Sequence, residues 1–142
     1  MSDRIHASLM VVAAAGTVAY WVAYFAAGAV QTSADPAYVA FENAFPLADA
    51  YMAACWMAAA LLLLRRRLAA VPVGIAAGSA MVFLGLMDTL FNLEHGKYAT
   101  MTGEMAVETA INVGCLTFGP VTMIRLWNAR GRFETDGRPG SR

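Results

Sequence analysis

The chain has 142 residues, 59% of them apolar and 14% charged, against roughly 45–50% and about 25% in soluble domains. That is the composition of a membrane protein. A formal net charge of 0 and two cysteines exclude a basic nucleic-acid binder and a disulfide-stapled secreted domain, so the first expected partner is the lipid bilayer and no nucleic acid is expected.

A hydrocarbon layer of about 30 Å takes roughly 20 apolar residues in a helix, and four stretches qualify. They lie at about residues 9–30, 47–64, 71–93 and 105–127, in a single membrane domain over residues 1–127. The first carries no charge. Arg4 ahead of this alanine-rich run imitates a secretory signal, yet the run is longer than the apolar part of one and three more spans follow, which predicts a retained helix. The loop from Gln31 to Pro46 contains Asp35-Pro36, a helix cap followed by proline at the first helical position. A short interfacial helix is expected there. Its Tyr38, Phe41 and Phe45 recur at i, i+3, i+7 as an aromatic stripe suited to the bilayer interface, with Glu42 beside it, placed to roof whatever lies below.

The second span carries Asp49 and is closed by Arg65-Arg66-Arg67; the third carries Asp88 and the fourth Glu108. Gly74-x-x-x-Gly78 in the third span and the alanine-rich second span (Ala53, Ala54, Ala58, Ala59, Ala60) offer small surfaces for close helix approach. Gly96 is a helix stop, Thr102 an N-cap, and Gly119-Pro120 a bend in the fourth span. From Asn128 to Arg142 the composition predicts a short disordered cytosolic tail. Nine of the ten basic residues fall on one side if the N-terminus is cytoplasmic, leaving only Lys97 on the other. The expected fold is therefore an all-α, four-helix transmembrane bundle, multi-pass in the plasma (inner) membrane, with N- and C-termini cytoplasmic.

This orientation sends seven of the ten acids, Asp35, Glu42, Asp49, Asp88, Glu94, Glu104 and Glu108, to the outer loops or the outer half of the bundle. Asp88, Asn92 and His95 share one helical stripe at i, i+4, i+7, and Glu108, Asn112 and Cys115 repeat that spacing on the antiparallel neighbour. At 1.5 Å per residue, Asp88 and Asn112 should lie at one depth, with Glu108 nearer Asn92 and His95. Thr17, Tyr20 and Tyr24 add a polar stripe from the first span. Tyr20, Tyr24, Glu42, Asp49, Asp88, Asn92, His95, Glu108 and Asn112 are thus the candidate ligand-binding residues. Asp88, Glu94, His95 and Glu108 are the candidate metal ligands, an oxygen-rich set with one imidazole. These polar groups are equally compatible with hydrogen bonds that only tie helices together, but carboxylates gathered without a basic partner repel one another and call for protons or a cation. No Cys-x-x-Cys, di-iron Glu-x-x-His, phosphate loop or serine triad is present. The scattered methionines read as packing, and Trp21, Trp56 and Trp127 as ordinary membrane aromatics.

The segment Phe45-Pro46-Leu47-Ala48-Asp49, followed by a long apolar run, resembles a motif of small four-helix bacterial membrane proteins of the YvaD-like kind, which implies the fold and no activity. Asp49, Asp88 and Glu108 inside a bundle are also similar, in architecture alone, to the EXPERA-domain proteins, among them sterol isomerases and the sigma-2 receptor, which hold a lipophilic ligand near intramembrane acids. Three functions stay open. The first is binding of a cation or a small cationic or amphiphilic ligand in an acidic outward-facing pocket. The second is proton-transfer chemistry of isomerase or cyclase type on a lipophilic molecule, with Asp88 or Glu108 as acid and His95 or the other carboxylate as acceptor. The third is an accessory or structural subunit completed by oligomerisation or a partner.

Overall fold

Helix α1 (Asp3–Ala27) begins where the Ser2 side chain accepts a hydrogen bond from the Ile5 amide at 3.3 Å, and ends at Gly28, whose φ of 59° places it in the left-handed region. The cap lies ahead of the apolar run, so the helix starts six residues before residue 9, the expected start of the span. A computed structural model gives the structure of residues 1–28 and 34–135; Ala29 and Val30, the expected end of the first span, lie outside the described residues. Helix α2 (Pro36–Glu42) is capped by Asp35, which accepts from the Ala37 amide at 2.9 Å.

Helix α3 (Pro46–Leu64) has proline in its first turn and ends at the arginine cluster, where Arg66 takes a φ of 52° to turn the chain into α4 (Ala70–Glu94). Beyond Gly96 a single 3-10 turn (Lys97–Ala99) leads to α5 (Gly103–Thr135), whose first turn is capped by Thr102, accepting from the Met105 amide at 3.2 Å. Helix α5 has 33 residues and runs through Pro120 without interruption. At 1.5 Å per residue it is about 50 Å long, well beyond the hydrocarbon thickness. Residues 128–135, expected as disordered tail, therefore continue the last span as helix, while residues 136–142 lie outside the described residues. Four helical stretches are long and apolar enough to cross a membrane, and the architecture is all-α.

Helix α1 packs on α3, α3 on α4, and α4 on α5; among the described residues no comparable seam joins α1 to α5. These two instead meet through side chains at the end that carries residues 3 and 135. There Asp3 accepts from Arg125 at 3.1 Å and Arg132 at 3.3 Å, and His6 Nε2 lies 3.0 Å from Thr122 Oγ1. His6, ahead of the expected start of the first span, lies in α1 and is fully buried against Thr122 and Phe118. The opposite end of the bundle carries α2 and the 3-10 turn and is called the α2 end below.

Small residues do mediate the closest approach, but the seam is α4 against α5. A Cβ on Gly78 would come within 2.9 Å of the Gly119 carbonyl oxygen, and one on Gly85 within 2.7 Å of Cys115 Cβ. Only Gly74 also reaches the alanine face of α3, at Ala59. Crowding against backbone cannot be relieved by a side-chain rotation, so Gly78→Ala should destabilise the bundle by about 1–3 kcal/mol, read as an earlier unfolding transition in detergent, while Gly103→Ala, with open space around it, leaves the transition in place.

Candidate functional site

Two structural facts build the site at the α2 end. Antiparallel packing of α4 on α5 brings Asn92 beside Glu108, and the short helix α2 folds back over both. Asn92 is fully buried; its Nδ2 donates to Glu108 Oε1 and, at 3.4 Å, to Asp88 Oδ1, and its Oδ1 has no partner. Asp88 in turn sits beside Glu108 and Asn112. Asn112 reaches the connecting turn, donating to the Tyr98 hydroxyl at 3.3 Å.

Helix α2 supplies the third carboxylate. Tyr38, 1% exposed, donates its hydroxyl toward Glu42 Oε1 at 2.9 Å and Glu108 Oε2 at 3.1 Å, and Tyr20 on α1 reaches Glu42 Oε2 at 3.4 Å. A phenol has one hydrogen. The two carboxyl groups therefore share or compete for that one hydrogen. One oxygen each from Glu42, Asp88 and Glu108 lie within 4.8 Å of one another, and among the described residues no basic side chain forms an ion pair with them. Lys97 lies over the Tyr38 ring, its Nζ 5.0 Å from the ring centre. Metal–oxygen distances of about 2.3–2.6 Å suit such a spacing, so the three carboxylates can share a cation or an ammonium group.

The aromatic stripe expected to lie along the bilayer interface is divided by this folding. Tyr38 points inward, while Phe41 stacks on Phe91 of α4 with ring centres 3.9 Å apart and planes 6° apart. His95 extends that stack, 4.0 Å from Phe91, and its Nδ1 lies 2.8 Å from the Phe91 carbonyl oxygen. His95 is the C-cap residue of α4, where the helical stripe ends, and both it and Glu94 are exposed. The structure therefore does not bring Glu94 or His95 to Asp88 and Glu108; Glu42 takes their place. For the same reason His95 is not beside the carboxylates as a proton acceptor. Nor is the pocket open outward as expected: α2 covers it, with Glu42 6% and Glu108 4% exposed.

Below the carboxylates lies a cavity of about 410 Å³ between the four long helices, within the usual size range of small-molecule sites. Its wall is apolar along most of its depth, with Val12, Met52, Met81, Leu84, Ile111 and Phe118 among its residues. Polar groups gather near the α2 end: Tyr20, Glu42, Asp88, Glu108, Asn112 and, set to one side, Asp49. Asp49 accepts a hydrogen bond from Trp21 Nε1 at 2.7 Å. Tyr24 does not line the cavity; it stacks on Tyr20 at 6.5 Å and meets Trp21 edge-on at 5.3 Å, holding both in place. Cys115 lines the wall, and both cysteines are free thiols.

Sequence reasoning missed Tyr38, Trp21 and Tyr98 as members of the site. For Tyr38 a signal exists, since Tyr38 and Glu42 are spaced i, i+4 on one helix; for Trp21 and Tyr98 only the tertiary contact reveals the role. Compared with known protein families, curated proteins and solved structures, the chain matches none.

Proposed function

We propose that this membrane protein binds an amphiphilic cation, with a protonated amine at Glu42, Asp88 and Glu108 and an alkyl or similar apolar body in the cavity beneath. One observation carries this: the cavity is apolar along most of its wall and acidic near one end, with no basic side chain of the described chain paired to those acids. A cation from outside the chain satisfies the carboxylates, and an apolar tail satisfies the remainder of the wall. The arginine asymmetry supports a plasma-membrane orientation with the α2 end outside and the Arg65 to Arg67 turn in the cytoplasm.

The test is thermal unfolding of the purified chain in a neutral detergent. Dodecylamine should raise the melting temperature in a concentration-dependent way, while dodecanol, which keeps the chain but not the charge, and butylamine, which keeps the charge but not the chain, should each give much less. Equal stabilisation by dodecanol and dodecylamine rejects recognition of the cationic head.

A second reading rests on the carboxylate spacing alone. Three oxygens within 4.8 Å, next to the unpartnered Asn92 Oδ1, also suit a bare divalent ion. Stabilisation by calcium chloride that exceeds that given by dodecylamine favours this second reading.

A further inference from the structure

The cavity wall is not equally closed on all sides. Of its lining residues, those from α3 and α4 are buried or half-buried, with Met52 at 3% and Leu84 at 8% exposure. The exposed ones come from α1 and α5: Leu9 at 41%, Val12 at 66% and Gly16 on the first, Ile111 at 42% on the second. Helices α1 and α5 also lack a backbone seam like those of α1 with α3, α3 with α4 and α4 with α5, and side chains clasp them at the far end, Asp3 with Arg125 and Arg132 and His6 with Thr122.

The glycines divide in the same way. On the closed α4/α5 seam a Cβ at Gly78, Gly85 or Gly119 would collide, whereas a Cβ at Gly16 or Gly114, both lining the cavity, would meet nothing within 4 Å. At the α2 end the path to water is covered by Tyr38 and by the Phe41–Phe91 stack. Val12, Val18, Ile111 and Val113, on the outer faces of α1 and α5, are exposed and apolar, as residues facing lipid chains are.

We infer that the cavity opens sideways into the hydrocarbon of the bilayer through a cleft between α1 and α5, floored by Gly16 and Gly114, and that it takes membrane-partitioned single-chain amines through this cleft. The inference rests on the amphiphilic-cation reading. It commits the ligand to a molecule that already resides in the membrane with its charged head near the surface. Such a molecule slides its chain between the two helices while its ammonium group moves to the carboxylates at the α2 end. A soluble amine without a chain has no such route.

A gate and a site differ kinetically. Narrowing a passage slows entrance and exit together and leaves the equilibrium unchanged, whereas removing a binding group changes the equilibrium. With the full chain in phosphatidylcholine vesicles and dodecylamine as probe, association and dissociation are followed by tryptophan fluorescence, since Trp21 lines the cavity. Gly16→Ala with Gly114→Ala should slow association and dissociation together, each at least threefold. Gly16→Leu and Gly114→Leu should slow them at least tenfold. The alanine pair decides the matter if the leucine variants fail to fold, because the space at both positions accommodates a methyl group. Phe41→Ala, which loosens the roof, should leave both rates near those of the parent.

Unchanged rates in the glycine variants, or a Phe41→Ala rate increase of tenfold with the glycine variants inert, overturn the lateral route while leaving amine binding intact. A parent that runs as a dimer and glycine variants that run as monomers overturn it too, by showing that a second copy fills the cleft. If the parent gives no signal that Glu108→Gln removes, the amine-binding reading itself fails and the route falls with it.

Discussion

Glu108→Gln should weaken dodecylamine binding roughly 30-fold or more, because truncating one partner of a desolvated charge contact costs about 2–5 kcal/mol. Glu108 is 4% exposed, so water does not take over the role of the lost charge. The same substitution should leave the ligand-free protein as stable as the parent, or more so. A glutamine at this position keeps an oxygen for Asn92 and a polar group for Tyr38, and it removes one of three mutually repelling carboxylates. Asp88→Asn should behave alike. Titration calorimetry reads the affinity and thermal unfolding the stability; loss of both together would mean that the cluster serves only to hold the helices.

The carboxylate cluster adds a sign for pH. Protons and an incoming ammonium compete for the same clustered carboxylate oxygens. Binding therefore releases protons, so affinity should rise with pH while the amine stays charged and fall as the solution is acidified. Proton release shows as a binding enthalpy that varies with the ionisation heat of the buffer.

The other large effect concerns topology and is close to all-or-none. The proposed orientation puts Arg65, Arg66, Arg67, Arg125, Arg130 and Arg132 on the cytoplasmic side, and under it Lys97→Cys should react with a membrane-impermeant maleimide in intact cells and Arg130→Cys should react only after permeabilisation. Lys97 lies in the connection between α4 and α5, and Arg130 in the part of α5 that continues past the last span. The native thiols give a low background, since Cys115 is buried and Cys55 half-buried on the span of α3. Labelling of Arg130→Cys in intact cells would invert the bundle and put the carboxylate cluster on the cytoplasmic side.

The existence and order of four apolar helices were legible in the sequence, because hydropathy and helix period are local properties. Asp88, Asn92, Glu108 and Asn112 were legible as facing stripes for that reason, and the Asp35-Pro36 and Ser/Thr caps locate helix starts from a few adjacent residues. Which side chains complete the site depends on how the helices meet in space. His95 shares a stripe with Asp88 and Asn92 on an ideal helix, but α4 ends there and the ring stacks on Phe91. Tyr38 fits an interfacial stripe by spacing, yet the folding of α2 onto α4 buries it between two glutamates. Periodicity predicts a face and not the neighbour it meets: Gly78 and Gly85 turn toward α5, and Gly74 alone also reaches an alanine of α3. The gap between α1 and α5 follows from the order in which the helices pack, a relation among segments far apart in the chain that no local pattern of residues encodes.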